Sequence, residues 1–113
     1  MARFGARTFE EAGEARVVLS GDCDLSVRDD LLAALNAAVG RHPRVVVDLA
    51  QVGFLDSTGV HGLVTAHHAA LARGGRLIVV NARGAVATVL EITGVAGLLA
   101  EPAPPAVDRR PGG

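Results

Sequence analysis

The residues of this chain best suited to chemistry stand together in Phe54-Leu55-Asp56-Ser57-Thr58-Gly59. Two hydroxyls beside a carboxylate, followed by a glycine, are compatible with a helix cap, a phosphate position or a nucleophilic serine. An apolar run precedes the segment and a helical pattern follows it. It therefore falls at the carboxyl end of a strand, where open α/β sheets place their sites. The first turn of the following helix offers unpaired N–H groups and the positive end of a dipole. A serine there can cap the helix, and the same position favours a phosphate. Gly59 lets another surface approach closely, because it has no side chain. Taken alone, the segment reads first as an N-cap made by Asp56 or Ser57. A hydrolase elbow would read G-x-S-x-G, and Leu55-Asp56-Ser57-Thr58-Gly59 lacks the first glycine. His61 lies one helical turn beyond Ser57, a poor place for an activating base. The chain is expected not to be an enzyme.

The other polar candidates give less. His61 and His68 are seven residues apart, about 10 Å by helical rise, whereas paired zinc ligands on a helix sit three or four apart. His67 falls on the apolar face of its helix and reads as a core-edge residue. Asp22 and Asp24 supply too few oxygens for a hard cation and suit turn and capping roles better. Cys23 is the single cysteine, which excludes an internal disulfide and a cysteine zinc site. No metal and no cofactor are expected.

Composition narrows the function further. Eleven Arg, no Lys and twelve acidic residues give a net charge of −1, with the arginines scattered along the chain. A nucleic-acid groove needs a basic surplus or stripe, and with three Phe, no Trp and no Tyr there is little to stack on bases. Direct nucleic-acid binding is not expected. No apolar run approaches the roughly 20 residues of a membrane span, and the opening residues lack the apolar core of a secretory signal. The expected compartment is the cytoplasm. With 113 residues, half of them apolar, and a mean hydropathy of +0.35, one domain with its own core is expected.

The elements that must position the segment follow from pattern. Residues 4–11 and 15–21 read as a hairpin turned at Glu11-Ala12-Gly13-Glu14. A helix is expected over 26–39, capped by Ser26 with Asp29 completing a capping box, and ended by Gly40 as C′ glycine before Pro43. Its apolar stripe is Val27, Leu31, Ala34, Leu35 and Ala38. Residues 44–49 form a central strand covered on both faces. Residues 57–72 form a helix with Val60, Leu63, Val64, His67 and Leu71 inward, stopped by Gly74-Gly75. A strand over 76–80 and a short helix over 84–92, ended by Gly94, follow; residues 95–99 make a last short strand or an apolar cap. The order β-β-α-β-α-β-α implies parallel central strands with an antiparallel edge, so the fold class is α/β: a mixed sheet of four to five strands with helices mainly on one face. Residues 1–100 make the domain. The Pro-, Gly- and Arg-rich stretch 101–113 reads as a frayed tail.

Three blocks in register resemble the STAS domain family, specifically its small anti-sigma factor antagonists. They are Leu19-Ser20-Gly21-Asp22-Cys23-Asp24; Val45-Val46-Val47-Asp48-Leu49 running on through Val52-Gly53-Phe54 to Gly59; and Gly74-Gly75-Arg76-Leu77-Ile78-Val79-Val80 with 85–94. Together they cover about residues 15–99. The resemblance implies that the unmodified protein binds an anti-sigma factor with serine kinase activity and frees a sigma factor. It places the phosphoacceptor at Ser57, directly after Asp56, and the partner surface on Asp24, Asp56, Ser57, Thr58, Gly59 and His61. It also implies a PP2C-type phosphatase as a second partner, and a monomer or weak dimer. The alternative is a non-switching STAS subunit, either a scaffold in a signalling complex or part of a lipid-handling ABC transporter. Two departures stand out. Pro102-Ala103-Pro104-Pro105 occupies the stretch of the family's further helix, so that helix is expected to be missing or very short. That would leave apolar surface uncovered near Val95, Leu98 and Leu99. His61 stands where the family commonly has a small residue.

Overall fold

The hairpin at the amino end is the antiparallel edge of a four-stranded mixed sheet in a computed structural model that describes residues 3–101. Strand β1 (Gly5–Glu11) pairs antiparallel with β2 (Glu14–Cys23), and Gly13, at φ +79°, makes the turn between them. A 3₁₀ turn (Leu25–Val27) and helix α1 (Arg28–Arg41) lead to β3 (Arg44–Leu55). Helix α2 (Ser57–Ala72), β4 (Arg76–Val80) and α3 (Gly84–Ile92) complete the order. Strands β2, β3 and β4 run parallel, in spatial order β1-β2-β3-β4.

The period-two pattern of β2 sorts the sheet into faces. Ala15, Val17, Leu19, Gly21 and Cys23 are buried, and the residues between them are half-buried. Val17, Val47 and Val79 stand in one row across the three parallel strands. The inward residues share one core with Leu31 and Leu35 of α1, Leu63 and Ala66 of α2, and Val86 and Leu90 of α3. All three helices thus pack on the same face, as the β-α-β order implies. Val46 and Ile78 point the other way and are also buried.

Several local expectations give way to a competing interaction. Ser26 does not cap α1. Asp24 caps the 3₁₀ turn before it, its Oδ1 accepting the Ser26 amide (3.0 Å) and the Ser26 hydroxyl (2.6 Å), and α1 itself starts at Arg28 after Val27 with no side-chain cap. Gly40 lies inside α1 rather than ending it. Pro43 forces the preceding residue into extended geometry, and His42, at φ −134° and ψ 140°, is where the helix stops. On α2, Leu71 is 42% exposed, while the small Gly62, Ala66 and Ala70 face the core. Gly62 lets α1 come close: an added Cβ would meet Leu31 Cδ2 at 3.2 Å. His67 is fully buried rather than at the core edge, and its Nδ1 reaches the Leu77 carbonyl at 3.3 Å, tying α2 to β4.

Residues 95–99 form no strand. The Leu99 carbonyl accepts the Val79 amide (2.7 Å) on the free edge of β4, and Leu99 itself is buried. The segment is an apolar cap, and the uncovered surface expected around Val95, Leu98 and Leu99 is largely closed; Leu98 alone of the three is exposed, at 40%. The expected tail and the missing further helix lie beyond Glu101, outside the described residues.

Asp48 fastens the far face of the sheet. It accepts from Arg16 (2.8 Å), the Ala50 amide (2.9 Å) and Asn81 (3.2 Å). Burial pushes its carboxyl up, but the Ala50 amide, Arg16 and Asn81 together hold it below the ordinary Asp value of 3.8. A carboxyl depressed in the folded state adds stability that is present above its unfolded value and is lost as pH falls through the folded one. Denaturant titrations between about pH 5 and pH 2 should therefore show stability falling, with a shallower fall in Asp48→Asn.

Candidate functional site

The parallel strands carry the site by ending together. Two irregularities in the β2–β3 register, between Val18 and Ser20 and between Gly21 and Asp22, insert extra β3 residues. They take up the difference between the twelve residues of β3 and the ten of β2. Cys23 consequently pairs with Leu55, and the Asp56 amide donates to the Cys23 carbonyl at 3.3 Å. The turns that follow the two strands, headed by Asp24 and Asp56, are thus set side by side at the carboxyl edge of the sheet.

Asp56 settles the capping question. Its backbone is extended (φ −104°, ψ −172°), and its Oδ1 accepts the amides of Thr58 (2.9 Å) and Gly59 (3.1 Å). This is the N-cap geometry that satisfies the free donors of a first turn. Ser57 is therefore released from that work. It is exposed, and among the described residues nothing bonds its hydroxyl. Thr58 is half-buried. Asp56→Ala should cost about 1 kcal/mol of stability, the usual worth of such a cap, read as a lower melting temperature by calorimetry.

Gly59 is placed beneath the surface. An added Cβ would press on Leu55 Cδ1 and meet the Cys23 carbonyl oxygen at 2.9 Å. The close approach that its missing side chain permits is that of α2 to the chain's own β2 and β3. His61 is exposed one turn along α2. Leu25, Arg28, Ser57, Thr58 and His61 line a shallow depression of about 410 Å³. The structure thus brings Ser57, Thr58 and His61 onto one surface, sets Asp24 and Asp56 at its edge, and puts Gly59 under it. Leu25 and Arg28 are additions that the sequence reading missed. The available signal was Asp24-x-Ser26: an Asp bonded to the residue two positions on turns the chain, and Leu25, 69% exposed, is pushed outward.

The electrostatic setting is mixed. Burial pushes the Cys23 thiol up to about 11, with the carboxylates of Asp22, Asp24 and Asp56 adding to the effect. That thiol stays protonated and unreactive at neutral pH. Arg28 brings a positive charge and His61 an imidazole. A larger depression, of about 480 Å³, lies at the opposite end of the sheet, lined by Phe9, Glu10, Glu11, Glu14 and Arg16. Among the described residues, no three His, Cys, Asp or Glu side chains gather as a metal-ligand set, and no helix is long and apolar enough to cross a membrane.

Known proteins share this architecture. An anti-sigma factor antagonist from Mycobacterium paratuberculosis superposes with a TM-score of 0.77 at 28% identity, covering 94% of this chain and 89% of that one. The anti-sigma factor antagonist SpoIIAA in its unphosphorylated form gives 0.74 at 19% identity, over 89% and 90%. A sulfate transporter family protein from Wolinella succinogenes gives 0.67 at 20% identity, over 79% and 73%. No curated protein matches the sequence. The family model described as "Mlab, STAS domain" matches residues 7–100. Its span takes in the whole sheet from Arg7 onward, the three helices and the Asp56–His61 surface, and the chain belongs to the STAS domain family.

Proposed function

We propose that this protein is an anti-sigma factor antagonist whose unphosphorylated form binds an anti-sigma factor with serine kinase activity and releases a sigma factor, and that phosphorylation at Ser57 ends the binding. The observation that carries the reading is the division of labour at the start of α2. Asp56 performs the cap, and Ser57 is exposed with a free hydroxyl on a surface shared with Thr58, His61, Leu25 and Arg28. Asp24 and Asp56 border that surface, and Gly59 contributes by setting the depth of α2. The similarity to two anti-sigma factor antagonists, one of them at 28% identity, supports the same role. The anti-sigma factor, the sigma factor and a PP2C-type phosphatase that resets Ser57 would all meet the protein in the cytoplasm.

A phosphate adds about −1.5 to −2 charges and three acceptor oxygens. At a helix N-terminus the dipole favours the anion, so the domain stays folded. The interface bears the effect, because a dianion beside Asp56 must be desolvated when the partner docks. A few kcal/mol lost there lowers affinity on the order of a hundredfold.

Incubation with ATP and the anti-sigma kinase, followed by intact-mass measurement, tests the reading. The expected product carries one phosphate. Tandem mass spectrometry should place it on Ser57 and not on the half-buried Thr58, whose amide is already tied to Asp56. A second reading, a non-switching STAS subunit serving a transporter, is favoured by the likeness to the Wolinella succinogenes sulfate transporter family protein. In that case the mass stays unchanged and the protein co-purifies with a membrane permease.

A further inference from the structure

We propose that Arg28 and His61 hold the Ser57 phosphate within the same molecule, so that the phosphorylated form is an internally paired state; this rests on the reading of Ser57 as the acceptor. Most of the backbone donors that ordinarily greet an anion at the start of a helix are committed here. The Thr58 and Gly59 amides both go to Asp56 Oδ1. The Val60 amide goes to the Asp56 carbonyl, which leaves the Ser57 amide as the one first-turn donor without a partner among the described residues. A phosphate on the Ser57 hydroxyl must therefore take most of its donors from side chains. The depression that contains Ser57 offers two, one from each neighbouring helix. Arg28 is the first residue of α1, and His61 is four positions beyond Ser57 on the same face of α2. Both are exposed, and among the described residues neither is engaged in an ion pair.

The anions that face the same region do not compete for these two side chains on equal terms. Asp24 is bonded to the Ser26 amide and hydroxyl, and Asp56 to its two amides. Asp29 and Asp30 lie in the first turn of α1, where the dipole favours them. A guanidinium presents a planar fork that matches two phosphate oxygens, and an imidazole N–H adds a third donor. Capture of Arg28 and His61 by the phosphate also removes two donor side chains from the surface offered to the partner. Phosphorylation thus withdraws favourable contacts as well as adding a repulsive one.

Phosphoserine introduced at position 57 by genetic encoding tests the pairing without any kinase. The readout is the ³¹P NMR titration midpoint in the full chain, for the otherwise unchanged protein and for Arg28→Gln, His61→Gln and the double variant. Free phosphoserine has its second ionisation near 6, and neighbouring cations lower it. The expected midpoint lies below that of the double variant by about half a pH unit or more, with the single variants between. Equal midpoints in all four proteins would overturn the proposal. Unphosphorylated versions of the variants should melt as the parent does, which separates lost pairing from lost folding. If the anti-sigma kinase leaves Ser57 unmodified while the encoded phosphoserine shows the shift, the functional reading fails and the pairing stands; the reverse pattern fails only the pairing.

Discussion

Ser57→Asp is expected to lower affinity for the anti-sigma partner about a hundredfold while leaving the melting temperature equal or slightly raised. Ser57→Ala is expected to bind as the parent does and to take up no phosphate. The two halves of the first result come from different places. A carboxylate at a helix N-terminus gains roughly 0.3–1 kcal/mol from the dipole in an exposed setting. The neighbouring Asp56 carboxylate offsets part of that gain. At the interface, the same carboxylate is an added charge on a surface that must be desolvated, and an unpaired charge there costs several kcal/mol. Stability and affinity should therefore part company. A capping role for Ser57 predicts no such split, and the geometry already assigns the cap to Asp56. Calorimetric melting together with a binding titration on the three proteins checks it.

The second large effect is expected at Gly59, and it falls on stability. In Gly59→Ala the new methyl group would press on Leu55 Cδ1 and sit 2.9 Å from the Cys23 carbonyl oxygen and 3.2 Å from Cys23 Cβ. Leu55 and Cys23 are both buried, and the carbonyl belongs to the backbone at the end of β2, so little can give way. Overpacking of this kind costs about 1–3 kcal/mol. For a domain near this size each kcal/mol is worth about 4–8 °C in melting temperature. Gly40→Ala is the control. It lies inside α1 with nothing within 4 Å of an added Cβ, and should stabilise by up to about 1 kcal/mol through helix propensity alone. Because α2 carries Ser57 and His61, any Gly59→Ala protein that remains folded should also bind its partner more weakly.

How far the sequence discloses such details depends on the range of the interaction. Where one periodic signal dominates, the element is readable. The run 57–72 carries helical spacing and ends in paired glycines, and α2 spans those residues. The same holds for β4 and for α3, whose end is marked by Gly94 at φ +79°. The parallel pairing of β3 and β4 follows from the β-α-β order. Strand β3 runs six residues beyond its legible part. The two register irregularities break the alternation from Ala50 to Phe54, so the pattern looks like a loop although the ladder continues to Leu55. Ser26 misleads for a local reason: Asp24, two residues earlier, captures both its amide and its hydroxyl. At the site, Asp56, Ser57, Thr58 and His61 are legible as a motif. That Asp56 rather than Ser57 caps depends on backbone geometry and is not. Arg28 joins them only because β2 and β3 end together, a consequence of pairing between residues more than thirty apart in the chain.

The account stands on one difference, between the protein with and without phosphate on Ser57. Isothermal titration of both forms against the anti-sigma kinase, at one salt concentration and with the phosphate confirmed by mass, measures it directly. The account predicts saturable binding by the unmodified form and affinity weaker by about a hundredfold or more in the phosphorylated form, with both forms equally folded. Equal affinity of the two forms would contradict it.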